Sequence, residues 1–217
     1  MNDRYIAGIW ETDLQFGPAL LWWSRAPNKR PVQPTGPSWS WCSVNGPVDF
    51  VVEHQAGAKR HLEVVEIHSD VSPLNIYGQV KFAFLRIRAP TVRVIVTSIG
   101  KSMPEVRPTP DSFKGSSTAG TLFARSCGDP RGVISIYPEE DTNSGKVRVG
   151  DTITVVLVLE DLKNAFRGDR RALALARVDH DGTPTSTYQR VGVVQHAGLY
   201  DDELNWDGAP IEALTIV

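Results

Sequence analysis

The chain has 217 residues, 41% of them apolar and 22% charged, with a formal net charge of -2 at neutral pH. A chain of this length buries roughly 70% of the surface its unfolded form exposes, so folding demands no metal or disulfide staple. The near-neutral charge excludes a basic field for nucleic acid or a polybasic patch for anionic membranes. The cysteines Cys42 and Cys127 show no CxxC spacing and no nearby histidine pair. They read as reduced thiols in or near the core of a cytoplasmic protein. Met1-Asn2-Asp3-Arg4 lacks the apolar stretch of a signal peptide, and no run approaches the ~18 apolar residues of a membrane span.

Taken in order, residues 3–24 place Tyr5, Ile6, Ile9 and Trp10 at helical spacing, then Leu14, Leu20, Leu21, Trp22 and Trp23. Gly17-Pro18 interrupts the pattern, which predicts two short helices. The stretch from Pro27 to Pro37 is too rich in proline for a helix interior. Residues 38–42 alternate small and large, which suits an extended segment with Trp39 and Trp41 on one face. Strands are expected over 48–54, 61–71, 80–89 and 92–99, with Ala89-Pro90 as the break between the last two. A Pro/Ser/Gly-rich loop covers 101–120. Further strands are expected over 121–125, 133–137, 152–160, 171–178, 188–196 and 211–217. The run at 152–160 is continuously apolar and should be covered on both faces, and Asp181-Gly182 suits a hairpin turn. The expectation is a single mainly β domain over 1–217, an antiparallel sandwich or barrel of about nine or ten strands. Residues 1–47, helical and Pro-rich, would pack on a β body at 48–217.

Four blocks carry a resemblance. Asp3-Arg4-Tyr5-Ile6-Ala7-Gly8-Ile9-Trp10, with Asp13-Leu14 and Leu20-Leu21-Trp22, resembles a "DRYLAGLW…DL…LLW" segment. Pro37-Ser38-Trp39-Ser40-Trp41-Cys42-Ser43-Val44-Asn45-Gly46 is similar to "PSWSWASVDG", with Cys for Ala and Asn for Asp. Gly78-Gln79-Val80 and Leu85-Arg86-Ile87-Arg88-Ala89-Pro90 resemble "GQV…LRLRGP"; Tyr188-Gln189-Arg190-Val191-Gly192-Val193 and Thr215-Ile216-Val217 resemble "YERVGL" and "TIV". Together they resemble the C-terminal part of fungal heterokaryon-incompatibility (HET) proteins. In that family a larger N-terminal HET domain precedes these motifs and is held to trigger cell death. Here Met1 stands directly before the first motif, so the resemblance does not extend cell-death activity to this chain. A cut-out fragment and a C-terminal domain turned independent protein both fit.

Two one-face ladders are the candidate chemistry. Glu66, His68 and Asp70 alternate along one strand, with steps of ~7 Å. A carboxylate beside an imidazole makes a general acid or base, whereas a solvated strand face explains the same pattern. Phe82, Phe84, Arg86 and Arg88 form the second ladder, an apolar floor with guanidinium donors; a wet face is again the plain alternative. Tyr77 precedes it and offers a phenol. Trp39 and Trp41 fit a core anchor or a pocket wall, with Trp10, Trp22 and Trp23 as a hydrophobic lid. Glu66, His68, Asp70, Arg86 and Arg88 are thus the catalytic candidates, and Trp39, Trp41, Tyr77, Phe82 and Phe84 the substrate-binding ones. Neither ladder has metal-ligand spacing. No phosphate loop, GxSxG elbow, HExxH or dinucleotide fingerprint occurs.

Two functions follow as expectations. The preferred one is a stand-alone β domain that encloses an apolar small molecule, a cofactor-free cyclase or isomerase of fungal secondary metabolism. It would act by holding a reactive conformer and donating to a carbonyl. The alternative is a non-enzymatic recognition or regulatory module of a heterokaryon-incompatibility protein. No cofactor, nucleic-acid or membrane partner is expected for either.

Overall fold

The computed structural model describes residues 3–24, 30–31, 35–50, 58–71, 80–100, 121–127, 133–138, 147–161, 169–178, 186–194, 204 and 206–217. Tyr77, the loop at 101–120 and the Asp181-Gly182 turn lie outside them.

The N-terminal segment keeps two short helical elements broken at Gly17-Pro18, as expected, but residues 5–10 form a hairpin instead of a helix. β1 (Tyr5–Ile6) and β2 (Ile9–Trp10) pair antiparallel, joined by Ala7 at φ 48° and Gly8 at φ 89°. Two consecutive positive φ values make the tight hairpin turn whose twist matches its strands. Tyr5, Ile6, Ile9 and Trp10 therefore satisfy a hairpin as well as a helix. The helix that does form, α1 (Glu11–Phe16), has six residues and ends at Gly17; Pro18 then starts a 3-10 turn, Pro18–Leu20. β3 (Trp22–Ser24) pairs with β4 (Val48–Phe50).

The body is one nine-stranded sheet, as the β periodicity implied. β5 (Ala58–Arg60), β6 (Glu63–Val71), β7 (Val80–Gly100), β8 (Thr121–Ser126), β9 (Val133–Pro138), β10 (Thr152–Asp161), β11 (Asp169–Val178), β12 (Thr187–Val194) and β13 (Ile211–Ile216) compose it. All pairings are antiparallel except β12 with β13. Following neighbours from β7 through β8, β9, β12, β11 and β10 leads back to β7. The interior of this barrel-like ring is filled by Val94, Val96, Leu122, Ile134, Ile136, Val155, Leu157, Leu173's neighbours Ala172 and Ala174, and Val194, which belong to one buried cluster.

The expected break at Ala89-Pro90 is absent, since β7 runs unbroken through both residues. Its first half pairs with β6 and β13, its second with β8 and β10. The buried set changes phase on the way, from Ala83, Leu85, Ile87 and Ala89 to Val94 and Val96. Pro90 sits where the strand passes from one layer to the other, a place where a strand tolerates a residue without an N–H donor. Thr91 N–H, the next donor, goes to Pro210 O at 2.9 Å.

β10 is buried on both faces, as its apolar run implied. Ile153, Val155 and Leu157 enter the ring, whereas Val156 and Val158 join a second core with Leu173, Leu175, Leu85, Ile87, Leu214 and Ile216. Ile6, Ile9, Leu14, Leu20, Leu21 and Trp39 complete that second core. The N-terminal segment is therefore the lid of a core that the sheet alone leaves half covered.

Candidate functional site

The two ladders meet on one face. β6 and β7 pair with Glu66 opposite Arg86, His68 opposite Phe84 and Asp70 opposite Phe82. Strand alternation fixes which face this is: Ala83, Leu85 and Ile87 point into the core, so Phe82, Phe84, Arg86 and Arg88 point away from it. Glu66, His68, Asp70, Phe82, Arg86 and Arg88 are exposed, and Phe84 is half-buried. The solvated strand face, the plain alternative for each ladder, is therefore where both of them stand. Of the aromatic and aliphatic stripes on β7, the sheet buries the aliphatic one, Ala83, Leu85 and Ile87, in the second core with Leu20, Leu21, Leu173 and Leu175.

On this outer face the groups are ordered. The His68 ring stacks on Phe84 with centroids 5.2 Å apart and an interplanar angle of 15°. Phe82 stands 6.0 Å from Phe84, and the Arg86 guanidinium lies 5.9 Å from the Phe84 centroid. Arg86 Nη1 donates to Glu66 Oε2 at 2.7 Å. β13 extends the surface on the other side of β7, with Ala213 opposite Arg88 and Thr215 opposite Arg86. Phe82 is 52% exposed, Val65 53% and Ile211 62%, so large apolar groups in water lie next to the Glu66–Arg86 ion pair.

Trp39 and Trp41 do not share a face. Ser40 Oγ accepts from Cys42 N–H and starts a 3-10 turn, Trp41–Ser43, which swings the two indoles apart. Trp39 is fully buried in the second core, and Trp41 is half-buried with its Nε1 donating to Gly8 O at 2.9 Å. Of the proposed lid, Trp22 is buried and Trp23 half-buried, but Trp10 is exposed beside Tyr5.

Three of the four motif blocks tie this N-terminal lid to the sheet. Trp22 Nε1 donates to Trp39 O at 3.0 Å, and Ser40 Oγ donates to Ala7 O. Ser38 N–H donates to Val217 O at 3.2 Å, and Ser38 Oγ accepts from Arg190 N–H at 3.0 Å. The fully buried Arg190 guanidinium lies over the Trp22 ring at 3.7 Å and donates through Nη2 to Trp22 O. These residues hold the fold together; none of them is presented on the outer face.

One polar cluster was missed by sequence reasoning. Glu160, at the end of β10, accepts from Arg170 Nε at 2.9 Å and bonds His61 Nε2 at 2.9 Å. All three side chains are largely buried, from 13% to 28% exposed. Burial pushes the Glu160 carboxyl up, but the His61 and Arg170 bonds outweigh it and leave the group below its ordinary range. The Glu160–Arg170 half had a signal, because a hairpin joining 152–160 to 171–178 puts these residues opposite each other. His61 had none, being placed by the link from β5 to β6.

Cys42 and Cys127 are unpaired thiols, but Cys127 is exposed rather than in the core. Burial pushes the half-buried Cys42 thiol up. Among the described residues, no helix is long and apolar enough to cross a membrane. Comparison of the chain with family models, curated proteins and solved structures returned no match.

Proposed function

We propose that the chain is a recognition module that contacts a protein partner through the outer face of β6, β7 and β13. The observation that carries this reading is the convergence of both ladders on that face, with Phe82, Val65 and Ile211 in water beside ordered charges. Exposed aromatic and arginine groups on a stiff sheet are the composition of interface hot spots. The reading agrees with the resemblance to the C-terminal part of heterokaryon-incompatibility proteins, in which such a module would report to an effector domain. Selection of binders from a displayed peptide library tests it. Binders that lose at least about tenfold in affinity on Phe82→Ala, with melting unchanged, support it; binders indifferent to Phe82, Phe84 and Arg88 refute it.

A second reading, a small-molecule site of cyclase or isomerase type, has one observation in its favour. His61, Glu160 and Arg170 form a largely buried set of imidazole, carboxylate and guanidinium. Donors in such a dry setting stabilise developing charge on a carbonyl. Ligand-induced rises in melting temperature that vanish in Glu160→Gln would favour it over the recognition reading.

A further inference from the structure

Resting on the recognition reading, we infer that the partner is an extended basic segment that pairs along the outer edge of β6. β6 pairs with β7 on one side, and among the described residues no strand pairs with its other side. A sheet edge of this kind offers backbone donors and acceptors to an added strand. The bulge at Val65, between the Val64 and Glu66 pairs, limits the regular edge to about five residues from Glu66.

Charge selects the occupant. Glu63–Val71 carries Glu63, Glu66 and Asp70 and contains no lysine or arginine. The cations of this region stand on β7, across β6 from the open edge: Arg86, which bridges Glu66 at 2.7 Å, Arg88 opposite Glu63, and Lys81 next to Phe82. Asp70 lies opposite Phe82 and has no cationic partner among the described residues. A second copy of the chain is the wrong occupant. Antiparallel pairing about His68 sets Glu66 against Asp70, and parallel pairing in register sets each carboxylate beside its twin; like charges so placed repel. A strand with lysine or arginine opposite Glu66 and Asp70 reverses both signs.

The face adds side-chain specificity. The residue opposite His68 would rest by the His68–Phe84 stack, which suits an aromatic or aliphatic side chain. The positions opposite Ile67 and Ser69 face the half-buried side of β6, which suits an apolar and a small residue. The partner's pattern is therefore basic, apolar, aromatic or aliphatic, small, basic.

The probe is a fluorescein-labelled synthetic peptide with the core Lys-Val-Phe-Thr-Lys, titrated into the full chain by anisotropy. Two companions carry Glu in place of both Lys, or N-methyl groups on alternate amides along the pairing edge. The lysine peptide should bind and the other two should not. Each charge should contribute up to about fivefold, so Glu66→Lys with Asp70→Lys should invert the preference; Asp70→Lys alone should weaken the lysine peptide without altering melting. Equal affinity for the lysine and glutamate peptides overturns the inference, as does binding that survives N-methylation or a concentration-dependent dimer abolished by Asp70→Lys. If the lysine peptide fails while library-selected binders still depend on Phe82, only the partner chemistry is wrong. If those binders are indifferent to Phe82 as well, the recognition reading falls with it.

Discussion

The Arg190 guanidinium carbon lies over the indole of Trp22, 3.7 Å from the ring centroid, with both side chains fully buried. It also donates to the carbonyl of Trp22, so one side chain of β12 holds both the ring and the backbone of β3. Arg190→Ala leaves a cavity under the indole and removes a donor from a buried carbonyl. The expected loss is about 3 kcal/mol or more, seen as a lower urea midpoint with an unchanged slope. Arg190→Lys should recover little of it, because an ammonium cannot stack as a planar guanidinium does.

Facing on β7 gives a sharper contrast. Leu85 is fully buried, whereas Phe82 is 52% exposed. Leu85→Ala should cost about 2–5 kcal/mol, and Phe82→Ala about 0.5 kcal/mol or less, as surface changes do. Equal losses in chemical denaturation would mean that the strand is turned over.

Two glycines separate steric from conformational cost. A Cβ on Gly192 would stand 2.4 Å from Tyr137 O, a backbone atom that cannot yield without opening β9 from β12. Gly150 has φ +95° and nothing within 4 Å of its Cβ position. Gly150→Ala should cost about 1–2 kcal/mol from backbone strain alone. Gly192→Ala should cost clearly more, and thermal melts of the two variants compare them directly.

Glu160 sets a pH dependence with a definite sign. Its folded carboxyl lies below the ordinary value of 4.5, with burial opposed and outweighed by His61 and Arg170. Such a group contributes stability above its unfolded pKa and loses it as pH falls through the folded value. Glu160→Gln should therefore be less stable than the parent at neutral pH, and the gap should narrow below about pH 4.5. A gap that widens on acidification would show the carboxyl is raised instead.

Much of the fold was readable from residues because strand alternation is a local signal. β10 declared its two buried faces through the unbroken apolar run at 155–159, and the antiparallel pairing of β11 with β12 followed from their flanking Asp181-Gly182. The N-terminal hairpin was hidden because Tyr5, Ile6, Ile9 and Trp10 fit two periods, and only the positive φ of Ala7 and Gly8 decides between them. Pro90 misled for a related reason: it marks a passage between layers rather than an end. The ladders were found on the correct strands, but facing is a tertiary property. Phe82-Ala83-Phe84-Leu85 carries apolar side chains on both faces, so alternation alone left the buried one undecided. His61 reached Glu160 across 99 positions of chain, a distance no local pattern encodes.

The most direct test of the recognition face is amide chemical-shift mapping during titration with a library-selected binder. Shifts should concentrate on residues 66–70 of β6, 82–88 of β7 and 213–215 of β13, the strands that pair side by side to form that face. Shifts centred on His61, Glu160 and Arg170, with those strands unmoved, would contradict it.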